Sequence, residues 1–185
     1  MPESDAFIIS VQRAASPGDA IRGALQSAEV PPSRVQDAVF GLGPGVTLLN
    51  VEDVARAAGL TCPVATVSSG LRAIFFAGQS ILSVDLDVAL VIILGDESSV
   101  GLVLASPDAV GRWNLSPRAR LAARSLAGAD SALRAAGIAP ADISASRNGK
   151  DGALLLEQVL DELEGSQARW GMVSADGLAL LVERI

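Results

Sequence analysis

The chain has 185 residues, half of them hydrophobic and 19% charged, with a formal net charge of −7 and a mean hydropathy of +0.42. That composition can fill the core of one domain or of two small fused halves, while the negative charge and the 3% aromatic content argue against a nucleic-acid partner, which needs a positive face and stacking platforms. The chain has no histidine, one lysine (Lys150) and one cysteine (Cys62), which excludes Ser-His-Asp and Cys-His catalysis, a His-ligated metal and an intramolecular disulfide.

The acidic start MPESDAF lacks a signal-peptide pattern; together with the single cysteine it implies a cytoplasmic protein. A β-rich stretch at 6–11 predicts the first strand, and helical periodicity follows over 18–28. A second strand is expected at 35–40. GLGPG (41–45) comes next, a glycine–proline turn with neither the Lys-Ser/Thr of a phosphate loop nor the spacing of a dinucleotide fingerprint. A helix over 51–58 leads to Cys62 and a strand at 63–67. The next helix, 69–83, places Leu71, Ile74, Phe75, Gly78, Ile81 and Leu82 on one face. The longest apolar run, Val88–Leu94, has strand length and falls far short of the roughly 18 residues that would span a membrane. A strand at 100–105 follows a short polar link, so the two form an antiparallel hairpin. Helical periodicity covers 116–137 and 152–164, the latter with Leu155, Leu156, Val159, Leu160 and Leu163 on one face. Strands at 168–174 and 178–183 make a second hairpin around 175–177. Strands alternating with helices predict a mostly parallel sheet with both faces covered.

The order repeats. ALQSAEVPPSRV (24–35) matches ALRAAGIAPADI (132–143) in a helix, turn and proline pattern. A helix followed by a hairpin occurs over 71–106 and again over 153–185. Two related halves are therefore expected, joined near 106–117. They are unequal: the first carries about two extra elements over 41–69, where the second has only SASRNGKDG (144–152).

Ser68 and Ser69 stand where a strand turns into a helix. They are a candidate serine nucleophile or anion site, and equally a helix cap, which serine favours. Asp96 and Glu97 are adjacent carboxylates in a hairpin turn that could serve as a base or hold a cation, or be plain solvated turn residues. Asp85 and Asp87 read as a polar approach to a strand. Cys62 has no neighbour in sequence that would lower its pKa, and Lys150 sits in a polar loop.

VSSGLRAI (67–74) resembles the nucleophile motif of thiolases: a cysteine, a small residue, Ser-Gly-Leu, and an alanine two residues on. DVALVIILGDESS (87–99) is similar to the strand and Gly-x-Glu-Ser turn that follow the nucleophile helix, and ARWGMVSADGLALLVERI (168–185) to the closing hairpin. With these motifs in this order, the sequence resembles the thiolase and β-ketoacyl synthase superfamily. The resemblance implies an α/β thiolase-like fold of two pseudo-symmetric βα halves, with mixed sheets packed in αβαβα layers and the second half reduced. It divides the chain into 1–106 and 107–185, together one compact domain.

The departures bear on function. The resemblance places Val67 at the acyl-accepting cysteine, and valine cannot form a thioester. The segment that would carry the family's histidine falls in the gap at 144–152, and VSADGL (173–178) replaces the Cys-x-Gly loop. Only 106–117 stands in place of the loop domain that covers coenzyme A. The implied protein is catalytically inactive, without cofactor or metal, and acts as a dimeric interaction or accessory module related to acyl-CoA metabolism. In the family, the strand before the nucleophile pairs with its twin across a dimer axis. The matching segment is CPVATVS, from Cys62 to Ser68, which implies a homodimer or a heterodimer with a thiolase-like protein. Two alternatives stand beside this reading. One is a residual site for CoA, an acyl thioester or a small anion at Ser68, Ser69 and Gly70. The other is an acyltransferase of the acetyl-CoA acetyltransferase type, using Ser68 with Asp96 or Glu97 as base.

Overall fold

The computed structural model describes residues 6–43, 46, 50–83, 86–148 and 152–185; the side chains of 144–148 and 152–154 lie outside that description. The chain runs β1 (Ala6–Ala14), α1 (Pro17–Ala28), β2 (Asp37–Leu42), α2 (Val51–Ala57), β3 (Val64–Val67), α3 (Gly70–Ser83), β4 (Val88–Leu94) and β5 (Ser99–Ala105). It continues through α4 (Pro107–Arg112), β6 (Ala119–Ser125), α5 (Leu126–Ala135), β7 (Ile143–Asn148), α6 (Gly152–Gly165), β8 (Trp170–Ala175) and β9 (Leu178–Arg184). Polar side chains fix several helix starts by accepting backbone N–H groups that the first turn leaves unpaired. Ser16 takes the N–H of Asp19 at 3.2 Å, with Pro17 opening α1. Asn50 takes that of Asp53 at 3.3 Å, Ser106 that of Ala109 at 3.1 Å and Ser125 that of Gly128 at 3.0 Å.

The strands form one sheet in the order β3-β2-β4-β5-β1-β6-β9-β8-β7. β2 pairs in parallel with β3 and β4, and β7 with β8; the other neighbours are antiparallel. Both expected hairpins, β4–β5 and β8–β9, are present. The halves repeat one topology: β6, β7, β8 and β9 stand in the places of β1, β2, β4 and β5. What the second half lacks, among the described residues, is a counterpart of α2 and β3. β1 and β6 meet in the middle through Ala6↔Leu121, Phe7↔Arg120 and Ile8↔Ala119. The five- and four-stranded portions thus share a short antiparallel seam.

The sheet wraps around α3 and α6. Leu71, Ile74 and Ile81 of α3 and Leu156, Val159 and Leu160 of α6 are buried in one core with sheet residues of both halves, among them Val91, Leu102, Leu121 and Val182. α1, α2 and α4 cover the outer face of the first half, where Ile21, Leu25, Ala55 and Ala109 pack on Phe40, Leu90 and Val103. Among the described residues, α5 alone covers the outer face of the second half, around Ala122, Ala129, Leu133 and Leu181. This is the expected αβαβα layering. Covered on both faces, β4 and β5 are buried along their whole length, which is why they read as continuous apolar runs rather than alternating ones. At Gly101 of β5 a Cβ would lie 2.4 Å from the carbonyl oxygen of Ala20, so only glycine lets α1 approach this closely.

The structure differs from the sequence reading in five respects. The sheet is not mostly parallel: three of its eight strand pairings are parallel and five antiparallel, because two hairpins and the β1 and β6 pairings outnumber the crossovers. Residues 116–137 are not one helix: β6 occupies Ala119–Ser125 and α5 begins at Leu126. The Ala, Leu and Arg of ARLAARS favour helix, but pairing with β1 and β9 overrides that preference. Residues 143–148 form β7 rather than part of a bare connection, and α4 occupies the junction after 106. Leu82, expected on the buried face of α3, is 52% exposed, and Phe76 beside Phe75 is 50% exposed.

Candidate functional site

β3 ends at Val67, and α3 begins three residues later at Gly70. This turn is packed tightly from below. Gly41, opposite Val67 in β2, has Ser69, Gly70 and Ala73 so close that a Cβ would lie 2.9 Å from the Ser69 carbonyl oxygen and 3.0 Å from the Gly70 Cα and the Ala73 Cβ. The glycine at the start of GLGPG therefore brings the end of β3 and the head of α3 together. Two residues on, Gly43 donates its N–H to the Leu94 carbonyl at 2.8 Å, tying this loop to the end of β4. Pro44 and Gly45 lie outside the described residues.

At the turn, the half-buried Val67 packs its side chain on the inner core. Ser69 Oγ accepts the Arg72 N–H at 3.2 Å, the geometry of a helix cap. Ser68 is exposed, and Gly70 is buried. No hydrogen bond joins Ser68 to Asp96 or Glu97 among the described residues; both carboxylates are exposed in the β4–β5 turn. Asp87 is engaged elsewhere, accepting from the Arg112 guanidinium at 3.0 Å. Asp85 and Lys150 lie outside the described residues. Among the described residues no group of acidic or cysteine side chains could hold a metal ion. Among them, too, no helix is long and apolar enough to cross a membrane.

Cys62 lies near the start of β3, beside a cleft of about 480 Å³ lined by Arg56, Leu60, Thr61 and Pro63. Burial pushes its thiol pKa up, and the nearby charge of Asp37 pushes it the same way. Asp37, at the start of β2, is itself pushed up by burial. A raised thiol pKa leaves less thiolate at neutral pH, so Cys62 is a poor nucleophile. The proximity of Asp37 and Cys62 has no signal in the sequence, since the β2–β3 pairing creates it. The same is true of Glu183, 2% exposed and held by Arg169 at 2.6 Å and Arg120 at 3.3 Å.

The site thus has a strand end, a capped helix start and an exposed serine, with no neutral nitrogen base or thiolate among the described groups. Acyl transfer through a covalent intermediate needs an activated nucleophile, and nothing described at this turn activates one.

β3 is one of the two open ends of the sheet, β7 being the other, and is bonded on one side only. Ala38 donates its N–H to the Pro63 carbonyl at 3.1 Å. Bonding alternates along a parallel strand, so Pro63 and Ala65 turn their backbone groups to β2 while Val64 and Thr66 turn theirs outward. Ala65 and Thr66 are exposed.

Comparison with solved structures shows the fold. The chain is similar to human mitochondrial 3-ketoacyl-CoA thiolase, with a TM-score of 0.76 and 10% identity, over 97% of this chain and 99% of that one. It is also similar to human mitochondrial 3-ketoacyl-CoA thiolase in complex with CoA, with a TM-score of 0.79 and 10% identity, over 97% and 98% of the two chains. The chain has the thiolase-like fold. No family model matches the sequence, and no curated protein matches it.

Proposed function

We propose that this chain is a catalytically inactive thiolase-like protein that works as a dimeric accessory module in cytoplasmic acyl-CoA metabolism. The observation that carries the reading is Val67 at the end of an open edge strand. The position that the motif VSSGLRAI assigns to the nucleophile holds a core-packing methyl pair, while the strand leading to it keeps an unpaired edge. An exposed edge is a liability unless it is covered. Antiparallel pairing of 62–68 with the same segment of a second thiolase-like chain covers it.

The test is Thr66→Pro. Proline deletes an N–H that faces outward and leaves the bonds to β2 intact, so an edge strand tolerates it. In light scattering the parent should run at twice its chain mass of 18.8 kDa, and the variant at the single mass with little change in melting temperature. A parent that is monomeric, and stays so when mixed with a thiolase, overturns the proposal.

A second reading is favoured by the neighbour solved with CoA. The N–H groups at the head of α3, near Ser68, Ser69 and Gly70, would receive a CoA phosphate or an acyl carboxylate without chemistry, using the positive end of the helix. Calorimetry with CoA and acetyl-CoA separates the two readings: heat that Thr66→Pro leaves unchanged supports ligand binding apart from dimerisation.

A further inference from the structure

The repeat that relates the halves also shows what one of them is missing. α1 and α5 are both followed closely by a residue with positive φ, Glu29 and Gly137 respectively. The Val30 N–H then bonds the Leu25 carbonyl at 3.0 Å, and the Ile138 N–H bonds the Leu133 carbonyl at 2.9 Å. Each segment continues into a 3-10 turn opened by Pro32 or Pro140. Leu25, Val30 and Val35 therefore correspond to Leu133, Ile138 and Ile143.

Their surroundings differ. In the first half, Leu25, Val30 and Val35 are 3–4% exposed and share a core with Val51, Val54, Ala55, Ala58 and Leu60 of α2 and its end. In the second half no described element corresponds to α2: β7 stops at Asn148 and α6 starts at Gly152. Leu133 and the half-buried Ile138, Ile143 and Met172 instead line an open groove of about 400 Å³, with Pro140 at its rim. The rim carries one carboxylate, Asp130, and one guanidinium, Arg134, so it selects neither sign of charge.

We propose that this groove is a docking site for a short amphipathic helix from another protein, presenting a face of small aliphatic residues like the one α2 turns to the first half. The chain itself shows how such a surface is covered: the corresponding leucine and valines share a core with α2 and the turn after it, in the pattern V-x-x-V-A-x-x-A-x-L. A second copy has no free helix of this kind, because its α2 is already seated. The groove lies at the β7 end of the sheet, opposite the β3 edge, so both surfaces can be occupied at once.

The probe is an acetylated, amidated peptide with the sequence of residues 50–61, NVEDVARAAGLT, titrated into the isotope-labelled full chain and followed by NMR. Alone it is too short for a stable helix, so helix formation should accompany binding. Saturable shifts are expected at Leu133, Ile138, Ile143 and Met172, with Thr66 and Val67 unmoved. Affinity should not fall between low salt and about 0.5 M salt, because recognition is apolar. Met172→Glu puts a carboxylate against the apolar face and should weaken binding about tenfold or more. Arg22→Glu, at an exposed position on α1 in the first half, should leave it unchanged. No saturable shift with the parent, or shifts confined to β3, overturns the proposal. So does movement of the groove resonances on concentrating the protein alone, which makes the occupant a second copy.

Discussion

Val67→Cys puts back the residue type that the nucleophile motif requires, and its consequences follow from the turn. Val67 is half-buried on the inner core, so losing about one methyl's worth of packing costs about 0.5–1 kcal/mol, and the variant should fold. An ordinary thiol with pKa about 8.5 is about 3% thiolate at pH 7. The introduced thiol sits two residues before Ser69, whose Oγ caps the 14-residue helix α3. The positive end of a helix stabilises a nearby anion by about 0.3–1 kcal/mol, which taken alone lowers the pKa by about 0.2–0.7 and raises the thiolate to about 5–15%. Burial opposes this shift at both half-buried positions, but Cys62 lacks the helix end and also feels the charge of Asp37, which pushes its pKa further up. Iodoacetamide labelling followed by mass spectrometry should therefore modify the introduced thiol several-fold faster than Cys62. Acetoacetyl-CoA thiolysis should stay at the parent's background, because a positioned acid–base group supplies about 10²–10⁴ of such a rate and the turn has none. Turnover above that background would refute the reasoning, and faster labelling of Cys62 would refute its electrostatic half.

Gly41→Ala should destabilise the fold by about 1–3 kcal/mol, read as a lower melting temperature, because the new methyl meets the Ser69 carbonyl oxygen at 2.9 Å and the Gly70 Cα at 3.0 Å and overpacking costs that much. Asp37→Asn tests the pH dependence. The carboxyl pKa of Asp37 is raised by burial above its ordinary 3.8, so the folded chain holds this proton more tightly than the unfolded one. Its stabilising contribution is full below pH 3.8 and is lost as pH rises through the raised folded value. Denaturant titrations should show Asp37→Asn gaining stability over the parent at neutral pH and losing that advantage at pH values below 3.8.

The parts of the fold legible in the sequence are those whose burial leaves a pattern. β4 and β5 announce themselves because both faces are covered, and α3 and α6 because their apolar stripes face a shared core. β6 reads as helix because Ala, Leu and Arg suit one locally, and only its place between β1 and β9 makes it a strand. Leu82 shows the same limit: periodicity puts it on a face, but not which part of that face the neighbouring strands reach. At the site, Val67 and the serines after it are visible in the sequence because they sit in a motif. Gly41 as the residue that seats the turn, and Asp37 beside Cys62, leave no such mark, because those contacts arise from strand pairing across more than about 20 residues.

The asymmetry between the halves falls where the fold tolerates it. α2 and β3 lie at the outer end of their portion of the sheet, so a half lacking their counterparts loses one edge strand and one covering helix. The inner layer is untouched: Leu156, Val159 and Leu160 of α6 still pack between the sheet faces with α3, and the β1–β6 seam still joins the halves. An edge deletion of this kind forfeits mainly outer-face burial. That is why Ile138 and Met172, on the outer face of the second half, stay half-buried while Leu156, Val159 and Leu160 on the inner layer are buried. The same short segment, 144–152, is where the thiolase resemblance would place the histidine. The short connection after β7 therefore leaves the groove open, in addition to the unpaired sheet edges at β3 and β7.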